Sequence, residues 1–179
     1  MSIWATTKKV PIVARLKLAA ARREAEDAVL HADFIASVRS VIAAREADER
    51  FHVTLKYVGA KDDGTAPDTG LFAEIEAKES SAVFQARLRA RKLLTSLGEP
   101  MDEKAVDSAT GRDPQWMRDS REIAKAWLLA GVVGGEPELQ RINDLGLEDG
   151  GQDGARNLLG ALVDEVKLFN SMPAEKKST

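Results

Sequence analysis

The sequence predicts an α+β fold that is predominantly α-helical: a helical bundle-like core, one β-hairpin at about 51–58 and 71–76, and a long N-terminal helical segment. Three observations lead there. Alanine is abundant and aromatic residues make up only 5% of the 179, so the core must be built from small and aliphatic side chains. Alanine gives up no rotamer entropy in a helix, which tilts the whole chain towards helix. After Pro11 the chain reaches Asp48 without a glycine or a proline. Phe51, Val53, Leu55 and Tyr57 then alternate with His52, Thr54 and Lys56, the period of two of a half-buried strand.

Pro11 suits a first helical position, with Thr6 and Thr7 near enough to cap. Ala28, Ala32, Ile35, Val38 and Ile42 fall three or four apart and define one helical face. Arg22 to Asp27 is mostly charged and continues no such stripe, so a break is expected near His31–Asp33, or else an arm that reaches outward. Gly59 ends the first strand, 61–70 (KDDGTAPDTG) reads as loop, and Leu71, Ala73 and Ile75 alternate as a return strand, although the same residues can open a helix. Ser80 or Ser81 is expected to cap a helix that Gly98 stops. A short helix is expected at 102–109, and Asp113-Pro114 pairs a cap with proline at the first helical position. Gly134-Gly135 should end that helix. Glu136-Pro137 should open a short one closed by Gly146. Leu158, Leu159, Leu162, Val163, Val166 and Phe169 form the clearest stripe, on a last helix stopped by Pro173. The length fits a single domain over 1–179, with a possible seam at 98–114 between 1–97 and 114–171.

Charge and composition narrow the functional classes. The net charge is −3 with 31% charged residues, a balance with no global attraction for phosphate backbones or anionic lipid. There is no cysteine, which removes disulfide and thiolate chemistry and fits a reducing compartment. MSIWATTKKVP has no apolar run before its lysines, and no stretch approaches the roughly 18 apolar residues of a membrane span. A cytoplasmic protein, or a particle assembled in the cytoplasm, is the expectation.

One string suggests a chemistry. His52-Val-Thr54-Leu-Lys-Tyr-Val-Gly59 resembles a signature of the two-histidine phosphoesterase family. The resemblance implies that His52 acts as general acid or base on a 2′,3′-cyclic phosphate while Thr54 binds phosphate. A strand does place residues i and i+2 on one face, as that chemistry needs. The family also requires a second His-x-Ser/Thr on a facing strand. The only other histidine here is His31, followed by Ala32 and Asp33.

Other patterns point to bland readings. No G-x-S-x-G exists for a nucleophile elbow. Gly131-Val-Val-Gly134-Gly135 lacks the Gly-Lys-Ser/Thr sequel of a phosphate cradle and reads as a helix end. The acidic, glycine-rich Asp144–Asp153 does not match the ligand spacing of a calcium loop and reads as a helix-to-helix connection. No cofactor and no metal site is expected.

The expected function is therefore that of a non-enzymatic assembly or adaptor subunit acting by protein–protein contact, in a larger complex such as a virion or ring-like connector, and as a homo-oligomer. An isolated strand pair leaves open edges that a partner can complete. Phe51, Val53, Leu55 and Tyr57 are the interaction residues on it, and Arg87, Arg89 and Arg91 form a basic helical face. Two alternatives remain: a phosphoesterase-like enzyme using His52 and Thr54, and a nucleic-acid-associated protein using the basic helix faces.

Overall fold

Thr7–Pro11 form strand β1, and two helices follow, α1 (Ala14–Asp27) and α2 (Ala32–Ala47). A 3-10 turn at Glu49–Phe51 leads into strand β2 (His52–Lys56). Then come α3 (Leu71–Leu97), α4 (Glu103–Gly111), α5 (Pro114–Gly131) and α6 (Gly135–Ser171). This is a computed structural model that describes residues 5–61, 63 and 70–171. The fold is thus the predominantly helical α+β type expected, with one two-stranded antiparallel sheet.

The sheet is built differently from the expectation. β2 pairs with β1, in the register Thr7↔Lys56 to Pro11↔His52. The segment 71–76 is the first part of α3 and not a return strand. Its alanines, glutamates and leucine favour helix, and Ile75 is the residue of this segment that the helix buries. Pro11 opens no helix. It ends β1, where its missing N–H removes little from the ladder. Ser80 and Ser81 lie inside α3 and do not cap it.

The chain divides into two compact units, Met1–Asp68 with Leu128–Thr179, and Thr69–Trp127. In the first, α1 and α2 form an antiparallel helical hairpin. Lys17 pairs with Glu46 at 3.1 Å, and Arg39 with Glu24. Ala20 on α1 and Ile35 on α2 are the positions these helices bury. The expected break falls just ahead of His31, in the turn 28–31. β2 is covered on its second edge as well: Val133 N donates to Thr54 O at 3.0 Å, Gly59 N donates to Ala130 O at 2.9 Å, and Leu55 bridges to Val132. Ile12, Val53, Leu55, Ile142, Leu162, Val166 and Phe169 make the centre of this core.

α6 does not stop at Gly146. It turns at Gly150 and Gly151, whose φ of +62° is open to glycine at little cost. Its two arms then cross so closely that a Cβ on Gly146 would lie 2.7 Å from Ala155 N, and a Cβ on Gly154 would strike Gly146 O. Gly146 and Gly154 thus serve the close backbone approach, and Gly150 and Gly151 the turn between the two arms.

In the second unit α4 packs on α3 through Ala90, Leu94 and Val106. Asp102 caps α4 by accepting from Ala105 N at 2.8 Å, and Gly98 ends α3 in the left-handed region, the stop read from the sequence. Asp113 caps α5, accepting from Trp116 N at 2.8 Å. The Trp127 ring meets Phe72 edge-on at 5.1 Å, and its indole N–H donates to Glu79 at 2.8 Å. The helix stop at Pro173 and most of the loop at 61–70 lie outside the described residues.

Candidate interaction surfaces

β2 alternates from His52 to Leu55 as the sequence indicates, with Lys56 buried as well, but its apolar face is the core. Val53 is 1% exposed and Leu55 0%, so neither side chain can meet a partner. Phe51 and Tyr57 are half-buried. The Arg45 guanidinium lies 4.9 Å from the Phe51 ring centroid, and Tyr57 packs at 5.7 Å on Phe169. The alternation told which residues share a face. It could not say that this face turns inward.

His52 and Thr54 sit half-buried on the other face. His52 Nδ1 lies 3.0 Å from Asp48 O, and Arg141 donates to the carbonyls of Arg50 at 2.6 Å and His52 at 3.1 Å, which ties this strand entry to α6. The strand facing β2 is β1, Thr7-Lys8-Lys9-Val10-Pro11, which carries no histidine. His31 lies in the α1–α2 turn with Nε2 3.5 Å from Glu26. The second imidazole that the phosphoesterase resemblance calls for is therefore missing from the facing strand. Among the described residues no group of three or more histidine, aspartate or glutamate side chains is placed to hold a metal ion.

The basic run on α3 is engaged by acids of its own unit. Arg87 pairs with Glu103 and Asp107, Arg91 reaches Glu103 at 3.6 Å, and Arg89 grips Asp113 with contacts of 2.6 to 3.2 Å. A nucleic-acid phosphate would have to compete with these carboxylates. Lys92, one residue beyond, has no ion pair among the described residues.

The Arg89 guanidinium, and then the Trp116 N–H, hold the Asp113 carboxyl below its ordinary 3.8. A depressed carboxylate contributes stability that is present above the unfolded pKa and disappears as pH falls through the folded one. The stability of the second unit, followed by tryptophan fluorescence during denaturation, should therefore fall as pH drops from about 4 to about 2. Asp113→Asn keeps a capping oxygen and should flatten that part of the profile. An unchanged profile would show that the pair contributes nothing.

Large apolar side chains stand free at a place the sequence reading did not single out. Val29 is 89% exposed and Leu30 75%, the highest values among the large hydrophobic residues described. Both occupy the α1–α2 turn. Asp27 Oδ1 accepts from Val29 N at 2.9 Å and Leu30 N at 3.0 Å, which fixes the turn so that both side chains project. The same two bonds, with Leu30 N the larger influence, keep the Asp27 carboxyl below its ordinary range. Phe34 and Val41 on α2 and Leu18 on α1 are exposed as well. A signal was present in the sequence: two large apolar residues at the break, inside the acidic run Glu24–Asp33.

Among the described residues no helix is long and apolar enough to cross a membrane. No protein-family model, curated protein sequence or solved structure matches the chain.

Proposed function

We propose that this chain is a non-enzymatic assembly or adaptor subunit, working by protein–protein contact in a larger complex, and that the α1–α2 hairpin is its contact element. One observation carries the reading: the hairpin turn holds Val29 and Leu30 rigidly in solvent, where leaving them uncovered has no benefit to the isolated fold. Burying two such side chains is worth about 3 kcal/mol or more, roughly a hundredfold in an association constant. The missing facing histidine and the occupied arginines leave the enzymatic and nucleic-acid readings without a comparable observation.

The test compares the chain with a Val29→Asp/Leu30→Asp variant, each isolated from the cells that make it and weighed under native conditions. The wild type should travel in a complex several times the 19.4 kDa of one chain. The variant, folded equally well because both positions are exposed, should fall to single-chain mass. A wild type found only at single-chain mass, or a variant retained in the complex, would overturn the proposal.

A further inference from the structure

Resting on the reading of the α1–α2 hairpin as the contact element, we infer that α2 pairs antiparallel with the α2 of a second copy of this chain, about a two-fold axis. Phe34, Ser37, Val41 and Ala44 follow one another at intervals of three, four and three residues, and all are exposed. That spacing sets them in one line along the helix, as in a helix-pairing seam. On the opposite side Ile35 is buried, and Arg39 and Glu46 reach Glu24 and Lys17 of α1. From Phe34 to Ala44, Arg39 is the single charged residue, so the side turned away from α1 holds no charge over that span. A helix face that stays in water ordinarily carries charges, as α1 does at Arg22, Arg23, Glu24 and Glu26. The face of α2 lacks them.

Size selects the occupant. When two copies of α2 run antiparallel with Phe34 facing Ala44 of the second copy, Ser37 faces its Val41. Each layer then sets a large side chain against a small one, and symmetry repeats the two layers. A parallel pair would stack Phe34 on Phe34 and Ala44 on Ala44, crowded at one end and empty at the other. In the antiparallel register the two Asp33 carboxylates stand roughly 18 Å apart along the axis, far enough for salt to screen them. Arg23, over the Phe34 ring, and Arg45 are held by Glu26 and Asp149 of their own copy.

The same register carries each hairpin tip to the far end of the second copy's α2, so one contact covers Val29 and Leu30 as well. Covering the α2 face and the tip on both copies removes on the order of 1,200 Å² from water, the lower end for a specific interface. The contact is isologous and closes at two copies. The pair is then the unit that enters the larger complex.

The experiment uses the purified full-length chain alone, so its failure is separable from that of the functional proposal, which concerns the complex isolated from cells. By sedimentation and native mass spectrometry the wild type should weigh twice 19.4 kDa. Ser37→Glu/Ala44→Glu should fall to single-chain mass, folded because both positions are exposed and glutamate favours helix. Should circular dichroism show it unfolded, Phe34→Ala/Val41→Ala takes its place and should weaken pairing at least tenfold. Disulfide trapping reads the orientation, since the chain has no cysteine of its own. Phe34→Cys and Ala44→Cys chains, each oxidised alone, should stay unlinked, because like positions lie roughly 15 Å apart along the axis. Mixed one to one, they should form a linked two-chain species. A wild type of single-chain mass, a glutamate variant that still pairs, a mixture that does not link, or linkage of either cysteine chain alone would overturn the inference.

Discussion

Gly146→Ala should destabilise the unit that contains α6 by about 3 kcal/mol, near the upper end for overpacking a close contact. The added Cβ would lie 2.7 Å from Ala155 N and closer still to Ala155 Cα. These are backbone atoms that no rotamer change can withdraw. The two arms of α6 would have to separate around the turn at Gly150–Gly151, disturbing the packing of Ile142, Leu158 and Leu162. Urea denaturation, with hydrogen exchange to report on each unit, measures the loss. Gly111→Ala is the control, since a Cβ there meets nothing within 4 Å. Equal unfolding midpoints for the two variants would mean that the close crossing of α6 is not a constraint.

Val53→Asp should abolish folding of the unit that holds the sheet. Val53 is 1% exposed and paired in register with the buried Val10. A carboxylate there must either ionise without solvent or take up a proton and bury an unpaired polar group, each costing several kcal/mol. Thr54→Asp makes the contrast. Thr54 lies on the opposite face, half-exposed, with Lys9 as its register partner, so the folded chain should survive with a change below about 1 kcal/mol. Circular dichroism and thermal denaturation distinguish the outcomes. A Val53→Asp chain that folded normally but lost association would restore the strand face as an interaction surface and displace the hairpin.

Local rules read well from the sequence where the signal was itself local. Asp113 announced its cap, Gly98 its stop, and the stripe from Leu158 to Phe169 the buried face of the last helix. What escaped needed a partner distant in sequence. β1 is five residues with a proline at its end, and its partner lies about forty residues further on, so no short-range pattern marked it. The 71–76 segment alternates, yet alternation over six residues also fits the start of a helix, and its helix-favouring residues with the burial of Ile75 decided the outcome.

The candidate site followed the same division. Period two grouped Val53 with Leu55, and the charge run grouped Arg87, Arg89 and Arg91. In both cases the grouping was right as geometry and silent about direction. Val132 and Val10 close over the first set, and Glu103, Asp107 and Asp113 meet the second. Val29 and Leu30 belong to no stripe, so periodicity passed over them. Their place at the break inside an acidic run was the one signal in the sequence, and the turn that presents them gives it meaning.

The absence of cysteine gives the hairpin claim its most direct measurement. Leu30→Cys places a single thiol at the tip, and its rate of reaction with a maleimide reports whether the tip is covered. Coverage in the assembled complex predicts labelling at least tenfold slower than in the same chain diluted to single-chain mass, with an Arg121→Cys chain labelled equally fast in both. Labelling of Leu30→Cys at one rate in complex and single chain would contradict the role given to the α1–α2 hairpin.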